Sequence, residues 1–260
     1  MIYLCNYLFL PANAMNKTAD YEFTVIVPLY NEVDNIPELE RSLSSYLLKG
    51  TCRTCVLFVD DGSTDGSLAG LQEICSRNRA FFYISFEKNR GLSAALKAGF
   101  DYACSRYIGY IDADLQTEPE DFDRLLPYMA DYEMAVGVRV KRNDTFFKRF
   151  QSRFANSFRR MMTGDGATDT GCPLKVFRSS AAKAFPMFKG MHRFFPALLL
   201  LQEGARYKEV PVNHRQRTAG VSKFTIWNRM MSSFADCFAY RWMRTRYISY
   251  KVSATDLENE

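Results

Sequence analysis

An α/β fold, with a mostly parallel sheet flanked by helices, is predicted by three observations. Short β-branched runs alternate with segments of helical period from residue 23 onward. Those runs are apolar throughout, as strands buried on both faces are. Two of them end in acids, Asp60-Asp61 and Asp112 with Asp114, at the carboxyl ends where open α/β sheets bind ligands.

Phe23 to Tyr30 reads as the first buried strand, ended by Pro28. Asn31 or Asp34 is expected to cap a helix that runs to about Leu48, with Ile36, Leu39, Leu43 and Leu47 at helical spacing. Thr54 to Asp61 is the second strand, Gly62 to Gly66 its turn, and Ser67 to Arg77 the next helix. Phe81 to Ser85 follows as a strand. The segment Asn89 to Gly99 opens a helix with small residues suited to close packing on the sheet. Tyr107 to Ile111 is the fourth strand, and the β-α-β-α alternation argues right-handed crossovers between parallel neighbours.

Beyond it, a helix from about Asp121 leads to the strand Met134 to Arg139. Lys175 to Phe177 is a short strand, Ala181 to Phe188 a short helix, and His192 to Gln202 another helix. Tyr207 to Pro211 is a strand, and Thr225 to about Tyr240 a final helix.

The fourth strand carries the chemistry. Asp112 and Asp114 are two residues apart, so extended backbone would place them on one face with Gln116. Two hard carboxylate ligands beside an amide oxygen suit Mg²⁺ or Mn²⁺ carrying a diphosphate.

Composition narrows the classes. The chain of 260 residues is 47% hydrophobic and 24% charged, ordinary for a globular protein. Its net charge of +5 hides a split: residues 1–140 sum to −8, residues 141–250 to +15 and the last ten to −2. A basic second half implies an anionic partner. Seven scattered cysteines, an odd count, argue against a disulfide framework, and Cys52 and Cys55 lack a second pair at zinc spacing. No run of 18 apolar residues occurs, so no helical membrane span is expected. No GxGxxG follows the first strand, which excludes a dinucleotide-dependent oxidoreductase. Between Asp144 and Met162, Phe147, Phe150, Phe154, Phe158 and Met161 recur at steps of three and four among Arg and Lys. That stripe is either a core face or a helix lying on an anionic membrane surface.

Seven motifs together resemble family 2 glycosyltransferases of GT-A fold. They are VIVPLYNE (25–32), VDDGSTDGS (59–67), NRGLSAALKAGF (89–100), DADLQTEPE (112–120), DTGCPLKVFR (169–178), HRFFP (192–196) and RQRTAGVSK (215–223). The last three, with Gln116, point to the branch that glycosylates polyprenyl phosphates, as dolichol-phosphate mannose synthase and bacterial undecaprenyl-phosphate glycosyltransferases do. Many members carry C-terminal transmembrane helices, and this sequence shows none.

The resemblance implies that Pro28, Tyr30 and Glu32 hold the base and ribose of a nucleotide-sugar, with Asp61 accepting from either and Asp60 supporting it. It implies that Asp112 contacts ribose or metal-bound water, and that Asp114 and Gln116 bind the metal. Arg215, Arg217 and Lys223 would close over donor and acceptor phosphates. Asp169 matches the position assigned as catalytic base, although a phosphate acceptor has little need of one, so it would equally orient an Arg or Lys. His192 and Arg193 stand where they would meet the lipid phosphate.

The implied activity is inverting, metal-dependent sugar transfer from a UDP- or GDP-sugar to a polyprenyl phosphate for cell-envelope glycans. The implied setting is the cytoplasmic face of the membrane, with peripheral attachment and no nucleic-acid partner; no feature assigns an oligomeric state. Residues 1–21 are expected to be a disordered lead or a mis-assigned start. Residues 22–140 would form the nucleotide-sugar and metal half of one domain, 141–246 the acceptor and membrane-facing half, and 247–260 a polar tail. The alternatives are the same fold with a glycan hydroxyl as acceptor, and a non-catalytic basic module binding membrane or nucleic acid.

Overall fold

The computed structural model describes residues 17–114, 116–139, 156–213, 226–248 and 250. Its strands are β1 (Phe23–Leu29), β2 (Thr54–Asp60), β3 (Phe81–Ser85), β4 (Tyr107–Tyr110), β5 (Met134–Arg139), β6 (Lys175–Arg178) and β7 (Tyr207–Val212). The helices are α1 (Ile36–Lys49), α2 (Ser67–Arg77), α3 (Leu92–Tyr102), α4 (Phe122–Leu125), α5 (156–163), α6 (Ser179–Lys183), α7 (Phe195–Leu199) and α8 (Ile226–Arg244).

The strands form one sheet in the order β3-β2-β1-β4-β6-β5-β7. Strands β1 to β4 pair in parallel, as does β5 with β7. The exception is β6, which runs antiparallel to both β4 and β5. This reversal brings the first residue of β6, Lys175, opposite Tyr110 at the carboxyl end of β4 and beside Val136 within β5. The sheet order turns back between β1 and β4, the kind of switch point at which α/β folds bind ligands.

Alternation along β1 divides the core into two layers. Phe23, Val25, Val27 and Leu29 meet Ile36, Leu39 and Leu43 of α1, Leu71 and Ile74 of α2, and Phe122. Ile26 faces the other way, with Leu96 and Phe100 of α3, Phe195 and Leu199 of α7, and Tyr240 of α8. Each fully buried Phe or Leu there contributes about 1.5–3 kcal/mol. The expected close approach of α3 falls at Gly99, where a Cβ would lie 2.7 Å from the Ile26 side chain.

Pro28 does not end β1, which stays paired with β2 through Leu29. In a parallel ladder, successive residues bond to opposite neighbours. The Leu29 carbonyl accepts from Asp61 on the β2 side and the Ile26 carbonyl from Ile111 on the β4 side, so Pro28 faces β4. Pairing with β4 stops at Ile26, and the missing N–H of Pro28 costs no ladder bond.

Neither Asn31 nor Asp34 caps α1. A 3₁₀ turn, Val33–Asn35, intervenes, and Asn35 holds the N-cap position without a side-chain capping bond. Most later helices are shorter than their periodicity suggests. The turn after Asp121 is α only over Phe122–Leu125 before passing into 3₁₀ over Leu126–Ala130, and α7 ends at Leu199. At the other end, residues 17–21 are tied to the domain: Thr18 is buried, its hydroxyl accepts from the Cys104 N–H at 2.8 Å, and its carbonyl accepts from Ser105.

Candidate active site

The loops after β1 and β2 are laced together. Asn31 takes a left-handed φ of 53°, its N–H reaches Ser63 Oγ at 2.9 Å, and its side-chain oxygen accepts from the Thr64 N–H at 2.8 Å. The Glu32 N–H bonds Ser67 Oγ and the Val33 N–H bonds Asp65. Glu32 itself accepts from Asn35 at 2.6 Å. These bonds fix the segment carrying Tyr30 and Glu32, both half-buried, beside the second strand end.

Asp60 is fully buried and accepts from the Ser63 N–H and the Ser85 hydroxyl. Asp61 accepts the N–H groups of Arg90 and Gly91, one on each oxygen, at 2.6 and 2.8 Å. Burial raises its carboxyl above the usual range, and those two amides work against the rise. Asp61 thereby anchors the entry to α3.

At the end of β4 the backbone is not extended. It turns at residues 113–114, so Asp112, Asp114 and Gln116 do not share a strand face. Asp114 instead accepts from the Gln116 N–H at 3.2 Å, closing an Asx-type turn. Asp112 accepts from the Tyr110 hydroxyl at 2.6 Å. The donor set is hard oxygen on a tight turn. Among the described residues no three His, Cys, Asp or Glu side chains converge. A partial shell of this kind fits Mg²⁺ or Mn²⁺, which are commonly held by one or two carboxylates and completed by substrate phosphates and water.

Across β6 lies a second constellation, at the end of β5. Arg139 grips Asp169 with a two-pronged fork, Nε to Oδ2 and Nη2 to Oδ1 at 2.7 Å each, and its own N–H also points to Oδ2. The side chains are 13% and 9% exposed, so the pair is largely desolvated. Gly171 leaves room for it, since a Cβ there would meet Arg139 Nη2 at 3.0 Å. Thr168, just before Asp169, is held by Glu209 of β7 through its N–H and its hydroxyl, at 2.7 and 2.8 Å. A buried Arg159–Asp165 pair secures the start of the same loop. The sequence reading did not single out Arg139, although an Arg closing an apolar strand was a visible signal.

His192 and Arg193 sit elsewhere, against α3 and α8. His192 Nδ1 shares a 2.7 Å hydrogen bond with the Ser93 hydroxyl, and Arg193 pairs with Asp236 at 3.6 Å. Arg215, Arg217 and Lys223 lie outside the described residues. Asn213, at the start of that loop, donates its N–H to Asp121 at 3.0 Å, which brings the loop's beginning to the turn after the DADLQ motif.

Of the basic aromatic stripe at 144–162, only the last turns are described. Phe158 packs on Phe234 and Phe238 with centroids 4.6 and 6.3 Å away, and Met162 is buried, while Met161 is 70% exposed. Phe238 and Trp242, one turn apart on α8, are 61% and 62% exposed, and Arg246 lies 4.8 Å over the Trp242 ring. No helix among the described residues is long and apolar enough to cross a membrane.

Comparison with known proteins identifies the family and the fold. The chain is 32% identical over 210 residues to dodecaprenyl-phosphate galacturonate synthase of Rhizobium johnstonii, covering 79% of this chain and 62% of that protein. It is 34% identical over 214 residues to undecaprenyl-phosphate 4-deoxy-4-formamido-L-arabinose transferase of Edwardsiella ictaluri, covering 78% and 63%. The chain thus spans about three fifths of the length of these relatives. A mannosyltransferase from Pyrobaculum calidifontis, solved with GDP-Man and Mn²⁺, has the same fold at a TM-score of 0.62 and 22% identity, covering 84% of this chain and 63% of that one. Glucosyl-3-phosphoglycerate synthase of Mycobacterium tuberculosis, solved with Mn²⁺, UDP and glucosyl-3-phosphoglycerate, aligns at a TM-score of 0.63 and 13% identity, covering 91% and 84%. The glycosyl transferase family 2 model matches residues 24–185, which includes all the described strand ends named above except that of β7. With the acidic turn at the switch point and more than half its length matched, the chain belongs to glycosyl transferase family 2.

Proposed function

We propose that this chain is an inverting, divalent-metal-dependent glycosyltransferase. It would move a sugar from a UDP- or GDP-sugar to a polyprenyl phosphate, such as undecaprenyl or dolichyl phosphate, for cell-envelope glycan synthesis. The observation that carries this reading is a juxtaposition: the Asp112–Gln116 turn on β4 and the buried Arg139–Asp169 fork at the end of β5 flank one short strand. The first has the donors for a metal-bound diphosphate. The second presents a guanidinium, the group best matched to a phosphate acceptor. The names of both curated relatives include a polyprenyl phosphate.

The nucleotide end of the donor would lie along Pro28, Tyr30, Glu32, Asp61 and Asp112. The diphosphate would reach Asp114 and Gln116, where a bound Mg²⁺ or Mn²⁺ would neutralise the charge growing on the leaving group. A phosphate monoester has a second pKa of ~6, so the acceptor is largely dianionic at neutral pH. One of its oxygens attacks the anomeric carbon while the bond from that carbon to the β-phosphate oxygen breaks. The electron pair departs with the nucleoside diphosphate, and a single displacement inverts the anomeric centre. No proton need move. Asp169, with both oxygens on Arg139, therefore acts by aiming that guanidinium at the acceptor. Arg215, Arg217 and Lys223 would complete the phosphate cradle.

The acceptor resides in a bilayer, and the protein would meet it peripherally at the cytoplasmic face. Exposed Met161, Phe238 and Trp242, beside Arg241, Arg244 and Arg246, support such contact. The test is transfer from radiolabelled UDP- and GDP-sugars to undecaprenyl phosphate, with Mn²⁺ or with EDTA. An organic-extractable product that vanishes with EDTA and in Asp114→Ala supports the proposal. Labelling of an oligosaccharide, with no lipid product, would transfer the reading to a glycan hydroxyl acceptor.

A further inference from the structure

Lys175 is the buried charge that the chemistry above leaves without a task. It is the first residue of β6, opposite Tyr110 of β4 and Val136 of β5, and only 2% exposed. Burying an ammonium costs several kcal/mol unless it is paired and hydrogen-bonded. Its surroundings state what offsets that cost. The Nζ donates to the carbonyl oxygens of Cys172 and of Thr170, the latter at 3.4 Å, and sits 5.8 Å from the centre of the Tyr110 ring.

These partners belong to the two halves of the proposed site. Thr170 and Cys172 bracket Gly171 and directly follow Asp169, so the ammonium ties down the backbone that presents Asp169 to Arg139. Tyr110 gives its hydroxyl to Asp112, so the ring under the ammonium belongs to the side chain that steadies the metal-side turn. Burial pulls the lysine pKa down, while Cys172, Asp169 and Asp112 push it up and Arg139 opposes them. Both candidate carboxylates therefore feel this one cation.

We propose that Lys175 is a positioning residue that fixes the Asp169–Arg139 fork at a set distance and angle from the Asp112–Asp114 turn, preorganising acceptor phosphate against donor. The proposal rests on the polyprenyl-phosphate reading for its kinetic consequence, but not for its structural one. A 1 Å misplacement of reacting groups costs on the order of 10²-fold in rate. The effect should fall mainly on kcat and the acceptor, and less on donor binding, which is built chiefly from β1 and β2 and meets Lys175 only through Tyr110 and Asp112.

The experiment compares wild type, Lys175→Met and Lys175→Arg by steady-state transfer to undecaprenyl phosphate in Mn²⁺ and by amide hydrogen exchange of peptides covering 168–174. Lys175→Met is expected to lower kcat at least ~10-fold and raise the acceptor KM, with donor KM within ~3-fold of wild type, while exchange at 168–174 quickens. Lys175→Arg, which keeps the cation and its donors, should recover most of the rate. Folded Lys175→Met with kcat within twofold of wild type, or with donor KM carrying the loss, overturns the proposal. So does unchanged exchange at 168–174. Should Lys175→Met not fold, wild-type exchange decides: slow exchange at 168–174 without substrates is expected, and protection gained only on adding donor and Mn²⁺ overturns it. A wild type that transfers no sugar to lipid sinks the functional reading, and the exchange comparison still judges Lys175.

Discussion

Asp169→Asn separates two roles that the same residue can play. Asparagine keeps the shape but offers one acceptor oxygen where the carboxylate offers two, and turns an NH₂ toward a guanidinium that is 13% exposed. Of the two 2.7 Å bonds from Arg139 Nε and Nη2, one survives as an uncharged contact and one is lost. Breaking a buried ion pair by removing one partner costs about 3–5 kcal/mol. The surviving bond places this change at the lower end, about 3 kcal/mol. At about 2–4 °C per kcal/mol for a domain of this size, Tm should fall by about 6–12 °C. In transfer assays the loosened guanidinium should raise the acceptor KM and lower kcat by about 10- to 100-fold, with donor KM unchanged. Differential scanning fluorimetry and initial rates at varied acceptor measure both. A variant with wild-type Tm and acceptor KM but kcat down about 10⁴-fold, as removal of a general base can give, would refute the orienting role.

Three further outcomes follow from the packing. Gly99→Ala pushes a Cβ to 2.7 Å from Ile26 and should destabilise the fold by about 1–3 kcal/mol in chemical denaturation; an unchanged midpoint would show that α3 can shift off the sheet. Arg159→Met leaves Asp165 buried and unpaired, for about 3–5 kcal/mol, and should free the loop ahead of Asp169, read as faster proteolysis between 163 and 169. The Cys55 thiol, buried and pushed up to about 12, should resist alkylation at pH 8 until the protein unfolds, and reductant should leave Tm unchanged; rapid native labelling of Cys55 would contradict its burial.

Much of this was legible from local pattern. The bounds of α2, β3 and β5 follow from apolar period and flanking turn residues. The reversal of β6 was not legible, because four residues, KVFR, read alike in either direction and the pairing is decided by the chain's return path. The DADLQ carboxylates were legible as a candidate site, but the turn they sit on was not. Spacing of two implies one face only in extended backbone, and the Asx turn at Asp114 removes that condition. Asn31, expected alongside Asp34 as a candidate cap for α1, instead uses its side chain in tertiary lacing to Thr64. Arg139 and Asp169 are 30 residues apart, and no local pattern joins them. Lys175 left a faint mark, a lone Lys inside the run Pro-Leu-Lys-Val-Phe.

The most direct measurement is mass spectrometry of both products of a single reaction with undecaprenyl phosphate and the accepted nucleotide-sugar. Attack of the lipid phosphate on the anomeric carbon requires a lipid monophosphate sugar and one equivalent of nucleoside diphosphate. A lipid diphosphate sugar with nucleoside monophosphate would mean attack at phosphorus, and would contradict the glycosyl displacement proposed for this site.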